Sequence, residues 1–135
     1  MWVIPRPIVN KVLGHAQRTL PEECVGLLSG HGREITHWHP LVNVCRGGRR
    51  FAVDDAELLA CQREIREAGR EWVATYHSHP TTAAVPSPRD LAEADPFYRR
   101  TLQLIISLGV AGRLEMNGFL LQDGASLPQE LTITG

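Results

Sequence analysis

Residues 102–110, LQLIISLGV, form an almost unbroken apolar run. A strand of that composition has no polar face to turn to water, so other parts of the chain must cover both of its sides. The neighbouring segment LEMNGFLLQ (114–122) reads as its partner strand, and residues 127–134 as an edge strand. The chain must therefore supply a sheet and the layers that close it.

The covering layers are legible as helices. Ile8, Val9, Val12, Leu13, Ala16 and Leu20 recur at helical spacing, with Pro7 suited to a first turn and Pro21 ending the run, which predicts a helix over 7–20. CVGLLSG (24–30) and EITHWHPLVNV (34–44) flank a His31-Gly32 turn and predict a hairpin. Asp54 or Asp55 caps a second helix to about Arg70, with Leu58, Cys61, Ile65 and Ala68 on one face and Gly69 at its end. WVATYHSH (72–79) is rich in β-formers, and a Pro-rich loop to Pro86 leads to a third helix beginning at Ser87. Strands interleaved with helices define an α/β domain with a sandwich-like sheet.

At 135 residues the chain has the length of one domain, without internal repeats or a low-complexity linker. A formal net charge of -1 offers no broad cationic field for nucleic acid or anionic lipid. Cys24, Cys45 and Cys61 are odd in number, widely spaced and without a C-x-x-C pair, which fits a reducing cytosol. Neither a signal peptide nor a membrane span is read, so a cytoplasmic location is expected.

The segment HSHPTTAAVPSPRD (77–90) carries the chemistry. On an extended strand His77 and His79 point to the same side about 7 Å apart, close enough for their rings to converge on one ion. The loop to Pro86 can turn back so that Asp90, in the first turn of the following helix, supplies a third ligand. Two histidines and an aspartate with an open fourth position suit catalytic zinc better than a closed structural site. Ser87-Pro88-Arg89-Asp90 is also an S-x-x-D capping box, which alone would account for Ser87 and Asp90. The other pair, His37-Trp38-His39, has no third ligand in view and reads as a strand surface.

The pattern H-x-H, seven residues, S, two residues, D resembles the signature of the JAMM metalloproteases, or MPN-plus domains, and His77, His79, Ser87 and Asp90 fill it without a gap. That family also carries an upstream glutamate before a strand reading roughly G-L-L-x-G; here Glu22 and Glu23 precede Cys24-Val25-Gly26-Leu27-Leu28-Ser29-Gly30, and the family's spacing selects Glu23. The resemblance spans nearly the whole chain and is to the small free-standing bacterial type, without room for the insertions that contact ubiquitin chains in eukaryotic members. It implies a single-domain α/β JAMM/MPN fold, cytidine-deaminase-like, with a central mixed β-sheet flanked by about three helices. It further implies Zn2+ on His77, His79 and Asp90, Glu23 as general base and acid, Ser87 as oxyanion donor, and hydrolysis of a peptide or isopeptide bond. The substrate it implies is the C-terminus of a ubiquitin-like sulfur carrier protein; neither nucleic acid nor membrane is expected as a partner, and a homodimer is left open.

Two other classes are weighed against this. A zinc deaminase would need H-x-E and P-C-x-x-C elements, which are missing. A non-catalytic MPN-type scaffold would not need the full ligand set with Glu23. Elsewhere, the three cysteines read as small hydrophobes or bystanders, His15 and His31 as surface residues, and Trp38 and Trp72 as core or half-buried. Arg46-Gly47-Gly48-Arg49-Arg50 reads as a solvated loop whose charge could meet an acidic partner.

Overall fold

The computed structural model describes residues 1–45, 51–92, 101–108 and 114–135. The element order is β1 (Trp2–Pro5), α1 (Arg6–Thr19), β2 (Val25–His31), β3 (Glu34–Leu41), α2 (Asp55–Glu67), β4 (Glu71–His79), α3 (Pro88–Ala92), β5 (Leu102–Ser107), β6 (Glu115–Gln122), β7 (Ala125–Gln129) and β8 (Leu131–Thr134).

One sheet of eight strands runs in the order β7-β6-β5-β4-β2-β3-β1-β8. It is mixed: β4 and β5 pair in parallel, as do β1 with β3 and β8, and the remaining pairs are antiparallel. The two edge strands, β7 and β8, are separated in the chain by Glu130 alone, so the sheet must curl until its edges approach each other. The seam is drawn together where Trp2 donates its backbone N–H to Glu130 O (3.0 Å) and its indole N–H to Gln129 Oε1 (3.2 Å). Leu131 of β8 also packs over Gly118 of β6, where a Cβ would stand 3.0 Å from its side chain. The result is nearly a barrel.

Strand alternation sorts the core. Leu102, Leu104 and Ile106 of β5 face a cluster with Ile4, Leu28, Ile35, Tyr76 and the apolar stripe of α1, namely Ile8, Val9, Val12 and Ala16. Ile105 of β5 faces the other side, against Ala84, Phe119 and Leu121. All six residues of β5 are buried, as a strand covered on both faces requires. Cys61 and Ile65 seat α2 on Val25, Leu27 and Leu41, and Asp54 caps that helix by accepting from Glu57 N (3.3 Å).

Several expectations are corrected. Among the described residues two longer helices flank the sheet instead of about three, and the third is the five residues Pro88–Ala92. The 127–134 segment is two strands broken at Glu130, pairing at opposite edges, and β1 was not foreseen. The expected strand to Val44 ends at Leu41, because Asn43 turns aside to bind backbone elsewhere. Ala68 is exposed beyond the end of α2, and Gly69 adopts φ 76° there. His15 is half-buried rather than superficial, because the buried Tyr76 hydroxyl needs partners: His15 Nδ1 lies 2.7 Å from it and Trp38 Nε1 donates to it at 2.9 Å. Burial, and secondarily the Arg18 charge, lowers the His15 pKa. Trp38 and Trp72 are half-buried and His31 exposed, as read. The Arg46–Arg50 run and the end of the 102–110 segment lie outside the described residues. Cys24, Cys45 and Cys61 are free. No helix among the described residues is long and apolar enough to cross a membrane.

Candidate metal centre

β4 ends with Thr75, His77 and His79 on one face, opposite Tyr76 and Ser78. The two imidazoles are buried and converge, with ring centroids 5.0 Å apart and Nε2 atoms at 3.1 Å. Asp90 of α3 completes a triangle: its Oδ2 lies 3.3 Å from His77 Nε2 and 3.2 Å from His79 Nε2. The same oxygen accepts from Ser87 N (2.8 Å), while Ser87 Oγ accepts from Asp90 N (3.1 Å). The capping box is thus formed, and it holds the Asp90 carboxylate where the rings meet.

The donor set fits a small cation. For metal–ligand bonds of about 2.0–2.1 Å, one face of a tetrahedron has edges of about 3.3 Å, close to the observed 3.1, 3.2 and 3.3 Å. His79 Nδ1 lies 2.9 Å from Ala83 O, which can only accept. A proton on Nδ1 donated there would leave Nε2 as the atom offering its lone pair toward the triangle. The three atoms are the only cluster of its kind among the described residues.

Electrostatics in the metal-free protein follow from the same contacts. Burial pulls the His77 pKa down against the opposing pull of Asp90. For His79 burial also acts downward, but the Asp90 and Ala83 hydrogen bonds and the charges of Asp90 and Glu23 outweigh it and raise the value. Burial would raise the Asp90 carboxyl; hydrogen bonds from His77 and His79 overcome it and hold the group well below the usual carboxylate range. Asp90 is a carboxylate whenever it would be asked to bind a cation.

Glu23 is buried beside this centre. β2 and β4 pair Val25 with His77, so two residues further along the antiparallel register Glu23 meets His79, and its charge acts on that ring. The backbone around Glu23 is pinned from both sides. Asn43 Nδ2 donates to Glu23 O at 2.8 Å, and the next amide, Cys24 N, donates to Ser78 Oγ at 2.8 Å, with Ser78 N returning to Cys24 O at 3.2 Å. Asn43 Oδ1 also accepts from Cys45 N and Ala52 N. Glu22 is half-exposed. Beside His77 and Asp90 opens a cavity of about 220 Å³, walled by Phe51, Val53, Leu58, Ile105 and Leu121, with Thr75 and Gln103 on its floor.

All five residues singled out from the sequence are accounted for: His77, His79 and Asp90 touch, Ser87 caps Asp90, and Glu23 faces His79. Ser78 and Asn43 were missed. For Ser78 a signal existed, since the residue between two converging histidines must point to the other face; Asn43 gave none. His37 is exposed, as read, whereas His39 is half-buried rather than superficial, its Nε2 2.7 Å from the Oγ of buried Ser29. Cys24 and Cys61 are buried, and burial pushes each thiol up to about 11, which removes them as nucleophiles near neutral pH.

A mixed, nearly closed sheet carries two histidines on a strand end and an aspartate on the following helical turn, a cluster compatible with a metal site. The model of the prokaryotic homologs of the JAB domain matches residues 5–115, and the chain belongs to that family. The chain is 30% identical to the CysO-cysteine peptidase of Mycobacterium tuberculosis over 136 residues, covering 97% of this chain and 90% of that protein. It is 37% identical to a probable TtuB-protein conjugate cleaving protease of Thermus thermophilus over 92 residues, 67% of this chain and 62% of that one. Among solved structures, one from Desulfitobacterium hafniense superposes with a TM-score of 0.87 at 29% identity, covering 99% of this chain and 93% of that chain. A JAB1/MPN domain protein from Archaeoglobus fulgidus, at 20% identity and TM-score 0.66 over the full length of both chains, shares the fold.

Proposed function

We propose that the protein is a zinc-dependent hydrolase that cleaves a peptide or isopeptide bond at the C-terminus of a ubiquitin-like sulfur carrier protein. The observation that carries this reading is the triangle of His77 Nε2, His79 Nε2 and Asp90 Oδ2, with His79 Nδ1 turned to Ala83 O and Glu23 beside it. The relatives named as a peptidase and as a conjugate-cleaving protease support the reaction class and the kind of substrate.

His77, His79 and Asp90 would hold the ion, which when bound lowers the pKa of water and polarises a carbonyl. Glu23 takes the proton of the attacking water and returns it to the departing amine, a role needing a carboxylate fixed within hydrogen-bond reach. The pinned backbone on either side of Glu23 provides that fixity. Ser87 Oγ already accepts from Asp90 N, so its hydroxyl proton is free to donate to the oxygen on which negative charge develops. The cavity beside His77 is apolar on most sides and offers room for a side chain of an extended peptide tail.

The test is intact-mass analysis of a ubiquitin-like sulfur carrier bearing a C-terminal cysteine adduct, incubated with zinc-loaded protein and with its Glu23→Gln variant. Loss of the adduct with wild type, together with an unreactive variant that still binds zinc, is the expected result. Cleavage by Glu23→Gln at the parent rate would refute the assignment of Glu23. Zinc binding without cleavage by either would leave the scaffold reading.

A further inference from the structure

The loop that joins β4 to α3 presents Thr81, Thr82, Ala83 and Val85 to solvent. Its fully buried side chain, Ala84, packs against Ile105, Phe119 and Leu121, and half-buried Pro86 lines the cavity. Small exposed residues give a loop little reason to keep one conformation, yet three successive carbonyls are each engaged by a side chain from a different strand. Ser107 Oγ of β5 donates to Thr82 O (2.7 Å), His79 Nδ1 of β4 to Ala83 O (2.9 Å), and Asn117 Nδ2 of β6 to Ala84 O (3.0 Å). The sheet register explains how they meet. His79 pairs with Ser107 across β4 and β5, and Asn117 pairs with Ile105 across β5 and β6, which puts all three side chains on one face at one end of the sheet.

We propose that Ser107 and Asn117 are positioning residues for the metal centre. By gripping the carbonyls on either side of Ala83 they hold that carbonyl on His79 Nδ1, so the ring keeps its proton there and turns a bare Nε2 to the ion. They also fix where the chain enters the Ser87 to Asp90 turn. Neither residue is asked to touch ion or substrate; each acts through the backbone of the loop. The side chains at 81–83 and 85 are left free to vary without moving the ligand, because the loop is held by its main chain. The inference rests on the metal-binding reading above for its consequence, whereas the grip itself is a property of the metal-free protein.

The experiment compares the full chain with Ser107→Ala, Asn117→Ala and the double variant in three measurements. These are the zinc dissociation constant by competition with a chromophoric chelator, the His79 tautomer from ¹⁵N shifts of the metal-free protein at a pH where those shifts no longer change and the ring is neutral, and the metal-free melting temperature. The parent should show His79 as the Nδ1–H tautomer, and each variant a mixture. Zinc affinity should fall roughly tenfold in each single variant, the lower end of what removing supports behind a ligand does. The double variant should lose less than the product of the two, since both act through one carbonyl. Asn117 is exposed, so Asn117→Ala should melt close to the parent and remains decisive should Ser107→Ala fold poorly. An unchanged tautomer with zinc affinity within twofold of the parent overturns the proposal, and a lowered melting temperature without either change assigns the two residues a structural role only. A parent that binds no zinc removes the metal reading, and the tautomer measurement then decides alone whether the grip exists.

Discussion

One oxygen, Asp90 Oδ2, caps α3 by accepting from Ser87 N at 2.8 Å and faces both histidine Nε2 atoms at 3.2 and 3.3 Å. Asp90→Asn separates these roles, because an amide oxygen can still accept from Ser87 N but brings no charge to a cation. Asp90→Ala removes both. Loss of the cap costs about 1 kcal/mol, which for a domain of this size lowers the melting temperature by roughly 3–4 °C. The metal-free comparison is best made at about pH 9. Burial opposes protonation of His79, but Asp90 and Glu23 prevail and raise its pKa. That attraction adds stability in full below the ordinary imidazole value of about 6.5 and fades as pH rises through the folded-state value, so at high pH it confuses the comparison least. There, Asp90→Asn should melt close to the parent and Asp90→Ala a few degrees lower. With zinc at a thousand times the parent's dissociation constant, binding adds about 4.1 kcal/mol to the parent. A variant binding a hundredfold more weakly keeps only about 1.4 kcal/mol. Both variants should therefore forgo roughly 8–11 °C of the zinc-induced rise in melting temperature. Calorimetry with and without zinc makes the measurement. An Asp90→Asn protein that retains the parent's zinc-induced rise would show that Asp90 is a helix cap and nothing more.

Ser87→Ala should lower stability by about 1 kcal/mol through the lost cap and, separately, reduce kcat about 10²–10³-fold. An unchanged kcat on the carrier substrate would leave Ser87 only its cap. Gly26→Ala should destabilise by about 1–3 kcal/mol or more, because a Cβ there would collide with the hydroxyl and ring of the fully buried Tyr76; an unchanged urea midpoint would refute that packing. Cys24 and Cys61 hold their protons up to about pH 11 in the folded protein, above the value of about 8.5 for a free thiol. Stability should therefore be unaffected by the thiols below about pH 8.5 and fall as pH rises toward 11, and replacing both cysteines by alanine should flatten that decline in urea titrations. At pH 8 a thiol reagent should modify half-buried Cys45 first, and equally fast reaction of all three would contradict the burial of the other two.

What could be read from the sequence was local. The alternation of His77 and His79 on one strand face, the S-x-x-D spacing and the two-sided burial of 102–107 each follow from one element's period. The contacts that tune the site are set by register. Ser78 and Cys24 meet across 54 residues, Asn43 and Glu23 across 20, and Asn117 and Ala84 across 33. No short window contains both partners of any of them. The same reason hid the closure of the sheet, since the split of 125–134 at Glu130 matters only once β8 finds β1 at the far edge. His15 looked like surface because its partner, Tyr76, lies 61 residues away.

The capping box accounts for Ser87 and Asp90 without a metal, and the geometry is compatible with one device serving both roles: Asp90 Oδ2 accepts from Ser87 N and lies 3.2 and 3.3 Å from the two imidazole Nε2 atoms. A carboxylate that were only a ligand would need other groups to aim it at the two rings. Here the Ser87 amide and hydroxyl aim it, and the cost of ordering that side chain is met when α3 starts to form. A first helical turn has little stability of its own, so the cap gains from the histidines as they gain from the cap. His77 and His79 supply the attraction that keeps Asp90 ionised and in place, and the cap supplies the direction. The four residues Ser87 to Asp90 thus suffice to bring a carboxylate against two imidazoles.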